Sequence, residues 1–435
     1  MVGFSEDALI DPVVTTFNGF GGLATQQQGE LSMTLTYDKL GRVIESSNAL
    51  GEKTGMAYDA ADRQTALTLP SGRTFRFQYD AAGNMRSVEM PNGAVHTLSY
   101  TPINQLSGYT PEGNANSLES AFNLDQQRIS STLPSGRQTD FHAEPNGGRP
   151  TGMSFPEADI LFTYTDSTDR AGTISRTPTN ADPAQTIDYT YDGPLLTGTD
   201  FGGVASGEYA YSYDASFRLV GRSFNQGTER QFSYDNDDLL TGIGDFSITR
   251  SGPAGRPGVM GDGVLAVNYG FSSLGRLSDR EHRVLSSDIF RIELSHDAAG
   301  RISNKIETVE GVSTTFDYVY DPDGQLLEVR LDGVLRERYA YDVNGNRTLR
   351  EIDGVGEATT FDDQDRLLNH GGLGYVFDND GFLTQRGATA FSYSTRGELL
   401  SADMGAGNEI IYSYDGWGRR VARTDSVGTT QYLYG

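Results

Sequence analysis

Aspartate and glutamate are the residues of this sequence that could most readily do chemistry, since the 435-residue chain holds 59 of them. Paired carboxylates act as general acid and base, and alternating carboxylate and amide oxygens bind Ca²⁺. Such alternation occurs at residues 342–346, Asp-Val-Asn-Gly-Asn, and at residues 378–381, Asp-Asn-Asp-Gly. Neither run continues to a distal glutamate at the spacing of a known calcium loop. Most acidic residues sit at turn positions, where an aspartate that accepts a backbone N–H is sufficient explanation, so we predict neither a carboxylate active site nor a metal site.

Other catalytic groups are absent from the sequence or scattered through it. There is no cysteine, which excludes disulfides, thiolate-bound metals and a cysteine nucleophile. Neither a Gly-x-Ser-x-Gly elbow nor a His-Glu-x-x-His motif occurs. The sequence therefore predicts no enzyme activity, no catalytic residue and no cofactor. The five histidines lie far apart, and His96, which alternates with Leu98 and Tyr100, is predicted to pack in the core; the five are His96, His142, His282, His296 and His370.

Short strands must position the turn aspartates. Phe75, Phe77 and Tyr79 alternate with polar residues, so they share one face of a strand. That strand runs into Asp-Ala-Ala-Gly-Asn, a second strand leads to a Pro-Asn-Gly turn, and a third strand ends on Tyr100. Glycine supplies the positive φ that tight turns require. The unit is therefore strand, turn, strand, turn, strand, and it becomes stable only when neighbouring copies pair edge to edge.

Repetition of this unit organises the whole sequence. The first four tyrosines that end a unit, from Tyr37 to Tyr100, are spaced by about 21 residues. The pattern decays over residues 101–188 and is interrupted by the glycine- and proline-rich residues 252–263. We predict a single repeat array over residues 1–435 with irregular insertions at those two places, on the order of 40 short strands in all. Because the pattern is already under way at the start and is cut short at Gly435, a piece of a longer protein is expected.

We assign structural roles to the repeated turn residues. The tyrosines are predicted to pack between neighbouring strands, while the aspartates and glycines close the turns. The assigned positions are Tyr37, Asp38, Gly41, Tyr58, Asp59, Tyr79, Asp80, Gly83, Tyr191, Asp192, Tyr213, Asp214, Tyr234, Asp235, Tyr320, Asp321, Gly324, Tyr341, Asp342, Gly345, Tyr414, Asp415 and Gly418.

Composition narrows the class of protein and of partner. The 53 glycines, 23 tyrosines and 21 phenylalanines are typical of many short strands joined by tight turns, and helix should be almost absent apart from one helical turn within residues 114–122. The formal charge of −25 argues against nucleic acid or an anionic membrane as partner. The first 20 residues lack a basic start followed by an apolar run, and no long apolar segment follows, so we expect neither a signal peptide nor membrane insertion by this segment.

The phrase Tyr-Asp-x-x-Gly-Arg, as at residues 37–42 and 414–419, resembles the repeat of the Rhs family, also called YD-repeat proteins. The resemblance covers nearly the whole chain. It implies an all-β fold, a repeat array of antiparallel β-hairpins that forms a continuous strip and coils into a spiral or hollow shell. Members of the family with such a shell are the bacterial Rhs toxins, the cocoon of Tc toxins and the teneurin barrel.

The same resemblance implies that in bacterial members the shell encloses a carboxy-terminal toxin. Complete members are expected to carry paired Asp-Pro-x-Gly motifs, at which the toxin is cleaved off. Residues 321–324 match one such motif, but they lie at an ordinary repeat turn, and residues 342–345 downstream have no proline. We therefore assign no cleavage role to residues 321–324.

Three functions remain open from the sequence. The first is a non-enzymatic structural shell in a larger secreted bacterial protein, with an enclosed polypeptide cargo or other parts of the parent protein as partner. The alternative is an extracellular or cell-surface binding or adhesion module for a glycan or a protein. For sugar stacking the row Tyr209, Tyr211 and Tyr213 is the best candidate, although interior packing is the favoured interpretation. For the third function, a hydrolase, the sequence offers no residues to nominate.

Overall fold

The computed structural model describes residues 10–145, 148–165, 169–180 and 182–434. These residues form 41 β-strands and one 3₁₀ turn. Pairings between successive strands are antiparallel, as in β6 (Gln64–Thr68) with β7 (Thr74–Tyr79). The predicted all-β array of antiparallel hairpins is therefore confirmed. The prediction of a single array over residues 1–435 stays a prediction.

The first twenty strands in chain order are β1 Val14–Phe17, β2 Leu23–Gln28, β3 Leu31–Tyr37, β4 Val43–Asn48, β5 Lys53–Tyr58, β6 Gln64–Thr68, β7 Thr74–Tyr79, β8 Met85–Glu89, β9 Val95–Tyr100, β10 Leu106–Thr110, β11 Leu118–Phe122, β12 Arg128–Thr132, β13 Gln138–Ala143, β14 Pro150–Phe155, β15 Ala158–Tyr164, β16 Ala171–Pro178, β17 Gln185–Asp192, β18 Leu195–Gly202, β19 Gly207–Tyr213 and β20 Leu219–Phe224.

The remaining elements are β21 Arg230–Tyr234, β22 Leu240–Ile243, β23 Phe246–Thr249, the 3₁₀ turn Pro253–Gly255, β24 Val259–Gly261, β25 Leu265–Phe271, β26 Leu277–Val284, β27 Ser287–His296, β28 Ile302–Val309, β29 Val312–Tyr320, β30 Leu326–Leu331, β31 Val334–Tyr341, β32 Arg347–Ile352, β33 Val355–Phe361, β34 Leu367–His370, β35 Leu373–Phe377, β36 Leu383–Arg386, β37 Thr389–Tyr393, β38 Leu399–Asp403, β39 Glu409–Tyr414, β40 Arg420–Asp425 and β41 Gly428–Gln431.

Side-chain alternation builds these strands as the sequence indicates. In β7, Phe75, Phe77 and Tyr79 are half-buried, whereas Arg76 and Gln78 are exposed. The register between β7 and β8 shifts just before Tyr79, and comparable shifts precede the tyrosines that end β3 and β5. Such a bulge re-aims the last side chain of the strand and leads into the turn.

Residues 101–188 continue the array rather than replacing it, since β10 to β17 run through them. The helical turn expected within residues 114–122 is wrong, because β11 occupies residues 118–122 and pairs with both β10 and β12. Backbone pairing on both sides outweighs a weak local helix preference. Within residues 252–263 lie the 3₁₀ turn and the three-residue strand β24.

The chain divides into two compact units, each made of an early and a late segment. Unit 1 comprises Met1–Val95 and Ser233–Asp365, and unit 2 comprises His96–Phe232 and Arg366–Gly435. Most strand residues in either unit are half-buried. Unit 2 also contains a buried cluster, Phe155, Ala158, Ile160 and Ile174, against which Met153, Phe162, Ala171 and Tyr189 pack.

Candidate functional site: the repeat turns and their contacts

The repeat turns that begin with aspartate close around the carboxylate of that residue. In the turn 38–42, the Asp38 N–H donates to the Arg42 carbonyl at 2.9 Å, and the Gly41 N–H donates to the Asp38 carbonyl at 3.1 Å. Asp38 Oδ1 accepts the N–H groups of Leu40 at 2.9 Å and Arg42 at 3.0 Å, and Oδ2 accepts Arg42 Nε at 2.7 Å. The carboxylate is thus occupied by backbone and guanidinium donors, which makes it a structural group.

The same arrangement recurs at most of the assigned aspartates. Asp59 accepts the Arg63 N–H at 3.0 Å and Arg63 Nε at 2.7 Å. Where the fifth residue is asparagine, its amide replaces the guanidinium, as with Asn84 on Asp80 at 3.0 Å. The other assigned aspartates that accept backbone N–H groups of their own turn are Asp214, Asp235, Asp321, Asp342 and Asp415.

Asp192 departs from this arrangement. It ends β17 and pairs directly with Leu195, so a two-residue hairpin of Gly193 and Pro194 replaces the five-residue turn. Tyr191 still donates its hydroxyl to the carbonyl of Ala171 at 3.1 Å. A Tyr-Asp pair followed by Gly-Pro therefore keeps the tyrosine contact and changes the turn.

The fourth turn residue adopts a left-handed backbone conformation. Gly41 has φ of 82° and Gly83 has φ of 92°. In the turn 59–63 an aspartate, Asp62, takes this position with φ of 62°. Glycine is preferred because it has no Cβ to oppose positive φ. The other assigned glycines with positive φ are Gly324, Gly345 and Gly418.

The repeat tyrosine holds its copy to the preceding one. Tyr58 donates its hydroxyl to the Val43 carbonyl at 2.8 Å, and Tyr79 donates to the Gln64 carbonyl at 2.8 Å. In each pair the acceptor lies just after the preceding repeat turn. The sequence predicts packing of these rings but does not reveal the hydroxyl bond. The other assigned tyrosines with such a bond are Tyr37, Tyr213, Tyr320, Tyr341 and Tyr414.

The turn arginine contacts the following copy. Arg42 Nη1 donates to the Asp59 carbonyl at 2.8 Å, and its guanidinium carbon lies 5.0 Å from the centre of the Tyr58 ring. Arg63 repeats this on the Asp80 carbonyl at 2.9 Å and on the Tyr79 ring at 4.9 Å. The sequence pattern alone assigns no contact to the arginines, although their recurrence after glycine is a signal that could have found them. Neighbouring copies are thus joined in both directions, by tyrosine backwards and by arginine forwards.

These contacts set the protonation of the turn carboxylates. The Arg42 N–H, and then its guanidinium, hold the pKa of Asp38 below its ordinary value despite partial desolvation. The Arg63 guanidinium, and then its N–H, lower the pKa of Asp59 in the same way. At Tyr414 burial is the main cause that raises the pKa to about 12, and the negative charge of Glu398 raises it further.

Within unit 1, turns of the early segment bind turns of the late segment. The Ser71 N–H donates to Asp323 Oδ1 at 2.9 Å, and Arg73 Nε donates to Asp323 Oδ2 at 2.6 Å, across 252 and 250 positions. The Asp323 side chain is 2% exposed. One repeat further along, the Asn92 N–H donates to Asn344 Oδ1 at 2.9 Å, again across 252 positions. The two segments are therefore in matched register in this unit.

Unit 2 repeats the contact with different residues. The Ser135 N–H donates to Asp380 Oδ1 at 2.7 Å, and Arg137 Nη2 donates to Asp380 Oδ2 at 2.6 Å. The Asp380 side chain is 0% exposed. A second buried ion pair joins Arg176 to Glu398 through two hydrogen bonds of 2.6 and 2.8 Å. In both units a Pro-Ser-Gly-Arg turn thus holds the third residue of an Asp-x-Asp-Gly turn.

The runs that resemble calcium ligands are engaged with protein groups. Asp342 Oδ1 accepts three backbone N–H groups, and Asp380 is held by Ser135 and Arg137. Among the residues that the structure describes, no group of three or more acidic or histidine side chains could hold a metal ion. Nor does the described part of the chain contain a helix long and apolar enough to cross a membrane.

The aromatic row proposed for sugar stacking lies against its own strand neighbours. Tyr209, Tyr211 and Tyr213 are all half-buried. The Tyr209 ring lies 5.1 Å from the ring of Phe224 and meets the buried Phe201 edge-on at 6.2 Å. His96 stacks on Tyr109, and its Nδ1 lies 2.7 Å from the Tyr109 hydroxyl. These rings therefore pack within their unit.

Comparison with protein families decides the relationship of the chain. A family described as Teneurin YD-shell matches residues 1–435. The chain belongs to the Teneurin YD-shell family. The resemblance to YD-repeat proteins that the Tyr-Asp turns predict is thereby confirmed.

Curated relatives of this YD-shell are animal teneurins. Mouse Teneurin-3 is 28% identical over 440 residues, which cover 97% of this chain and 16% of the relative. Teneurin-m of Drosophila melanogaster is 28% identical over 453 residues, 96% of this chain and 16% of the relative. The YD-shell thus spans about one sixth of the length of these relatives.

Solved Tc toxin structures share the fold. A TcdB2-TccC3-TEV crystal structure has a TM-score of 0.72 at 15% identity and covers 98% of this chain and 29% of that chain. The pore of a Photorhabdus luminescens Tc holotoxin has a TM-score of 0.68 at 14% identity, with 95% and 29% covered. At such identities the likeness shows the fold of the YD-shell and nothing more.

Proposed function

We propose that this YD-shell segment is a non-enzymatic wall that encloses a polypeptide within a larger secreted or cell-surface protein. The observation that carries the proposal is the docking of late turns on early turns through Asp323 and Asp380. Within each unit the ribbon binds an earlier part of itself, and contacts of this kind are what a wall around a cargo requires.

The chemistry of the turns supports a structural role. The carboxylates of Asp38 and Asp59 are occupied by backbone N–H groups and by the arginine of their own turn. A carboxylate so held has little basicity left for proton transfer, in agreement with the lowered pKa values of these groups. The repeated residues therefore serve the wall.

Enclosure can be tested by protease protection. A disordered reporter peptide is fused after Gly435 and digested with thermolysin, beside the same peptide on an unrelated soluble carrier. We expect the reporter on the YD-shell to survive about tenfold longer, since an enclosed chain is cut only after opening. A variant with Asp323→Asn and Asp380→Asn, which weakens the docking in both units, should lose the protection. Equal digestion on shell and carrier would contradict enclosure.

A binding module of a cell-surface protein is the second candidate. Mouse Teneurin-3 is 28% identical to this chain, against 15% for the TcdB2-TccC3-TEV structure, which favours a teneurin-like setting. A glycan array and a protein pull-down with the isolated chain test this candidate. Saturable binding would support a binding module if Tyr211→Ala abolishes it while the circular dichroism spectrum of that variant stays that of the folded wild type. No binding in either assay would leave enclosure as the better account.

A further inference from the structure

One repeat turn keeps its arginine but has no aspartate to pair with it. In the turn 272–276 serine stands at the first position and Arg276 at the fifth. The backbone is closed as in the other turns, with the Ser272 N–H 2.8 Å from the Arg276 carbonyl and the Gly275 N–H 2.8 Å from the Ser272 carbonyl. The sequence change thus removes a carboxylate without changing the turn.

Serine is a poorer acceptor in this position. Ser272 Oγ lies 3.3 Å from the N–H groups of both Leu274 and Arg276, whereas Asp38 Oδ1 lies 2.9 and 3.0 Å from the matching donors. Serine also has no second oxygen to take the place of Asp38 Oδ2, which accepts Arg42 Nε at 2.7 Å. The guanidinium of Arg276 therefore has no carboxylate in its own turn, whereas Arg42 and Arg63 each contact one.

The guanidinium of Arg276 is confined rather than free in solvent. Its Nη1 atom is buried and has no hydrogen-bond partner among the described residues. The guanidinium lies over Gly300 in the next turn, so close that any Cβ there would collide with it. A buried donor without a partner costs about 1–3 kcal/mol, and more when it is charged. This position is thus one where an anion would lower the free energy.

A second arginine and a histidine lie beside this turn. Arg256 donates through Nη1 to the Gly275 carbonyl. In the next copy histidine replaces tyrosine, and burial followed by the Arg276 charge lowers the pKa of His296, against an opposing effect of Asp297. Two arginines thus lie at this turn, and the positive charge of Arg276 acts on His296.

The nearby carboxylates are already engaged. Asp297 accepts the N–H groups of Ala299 and Arg301 on Oδ1 and Arg301 Nε on Oδ2, at 2.7 to 2.9 Å. Asp11 Oδ2 accepts the Ser273 hydroxyl at 2.6 Å. Neither forms an ion pair with Arg276 in the described part of the chain.

We propose that the turn 272–276 binds a small monovalent anion, chloride or a short carboxylate, beside Arg276. The anion would lie where Asp38 Oδ2 lies in the turn 38–42. The ligand must be small, because the backbone of Gly300 closes one side of the guanidinium. The bound anion would accept from the Arg276 guanidinium as Asp38 Oδ2 accepts from Arg42 within their own turn.

Thermal melting in chloride or acetate tests the proposal, with variants that supply or withhold a carboxylate at position 272. Ser272→Asp supplies the carboxylate from within the chain, and Ser272→Asn is its neutral isostere. We expect the melting temperature of the wild type and of Ser272→Asn to rise by about 1–3 °C more than that of Ser272→Asp between 1 and 100 mM anion. The chloride and acetate series tell which anion binds more tightly. If the melting temperatures of all three proteins rise equally with anion concentration, in chloride and in acetate, the proposal is overturned.

Proton NMR of the histidine Cε1 signals provides a second measurement, made first on the wild type. Anion beside Arg276 should raise the pKa of His296 measured in 100 mM acetate or chloride above its value in 1 mM, by more than the shifts of His142 and His370. Arg276→Gln should remove that difference. A pKa of His296 that moves no more than those of the other histidines would rule out anion binding at this turn.

Discussion

Arg73 and Asp323 lie 250 positions apart in the chain, yet Arg73 Nε is 2.6 Å from Asp323 Oδ2. The Asp323 carboxylate is almost fully buried by this contact and by Ser71. Asp380 in unit 2 makes the same contact with Arg137. Both units thus hold distant parts of the ribbon together with one kind of turn-to-turn bond.

Replacing Asp323 with asparagine should destabilise unit 1. Asn keeps the shape but leaves the partly buried Arg73 guanidinium without its counter-charge, so we expect a loss of about 2 kcal/mol. Urea denaturation measures it. Asp62→Asn is the matched control, because Asp62 pairs with Arg42 while remaining 69% exposed. If both variants unfold at the wild-type urea concentration, the docking contact contributes nothing.

Removing one tyrosine hydroxyl should weaken the joint between two copies. Tyr58→Phe keeps the ring that Arg42 covers and loses the bond to the Val43 carbonyl, for an expected cost of about 1 kcal/mol in urea denaturation. Tyr375→Phe is the control, since no hydrogen bond from the Tyr375 hydroxyl occurs among the described residues. Equal effects of the two variants would show that the hydroxyl bond is not what joins the copies.

Gly83→Val should destabilise by more than about 1 kcal/mol, because φ of 92° opposes a branched side chain. A Cβ at Gly83 would meet no atom within 4 Å, so the cost is backbone strain alone. Gly374→Val in β35 is the control, since Gly374 is equally open and has ordinary φ. The two melting temperatures are compared by circular dichroism. An unchanged melting temperature for Gly83→Val would remove the strain argument.

Acid should loosen the protein through its turn carboxylates. The pKa values of Asp38, Asp59 and Asp214 are lowered in the fold by hydrogen bonds from the arginine of their turn. A carboxyl whose pKa is lower when folded stabilises the fold above its unfolded pKa, and this contribution disappears as pH falls through the folded pKa. We expect a nearly constant melting temperature from pH 7 to about 5 and a steep fall below about 4. A melting temperature that is flat down to pH 2 would contradict the assignment.

The local part of this fold is readable from the sequence, whereas the contacts between copies and segments are not. Alternation at Phe75, Phe77 and Tyr79 predicts the strand face, and Asp80 with Gly83 predicts the turn, because both depend on neighbouring residues. The hydroxyl bond of a repeat tyrosine depends on the bulge that aims its ring, which no composition rule gives. The docking of Ser71 on Asp323 depends on how far the ribbon curves before it meets itself.

The sequence also misleads where a short change alters a turn. Tyr191 and Asp192 read as an ordinary repeat pair, but Gly193 and Pro194 close a two-residue hairpin after them. Fixed φ at proline and permissive φ at glycine favour that shorter connection. Conversely, Ser272 reads in the sequence as a degenerate repeat position. The structure shows that the absent aspartate carboxylate matters, because Arg276 remains and its Nη1 has no partner among the described residues.

Cysteine crosslinking tests the turn-to-turn docking most directly, since the chain has no native cysteine. Pro70 and Pro322 line the same cavity beside the Ser71–Asp323 contact, so Pro70→Cys with Pro322→Cys should be joined by a short bismaleimide within one polypeptide. Pro70→Cys with Val343→Cys, which is shifted by one repeat, is the matched control and should stay unlinked. Linking of the first pair alone is the predicted result; equal linking of both pairs, or of neither, would contradict the docking of these turns.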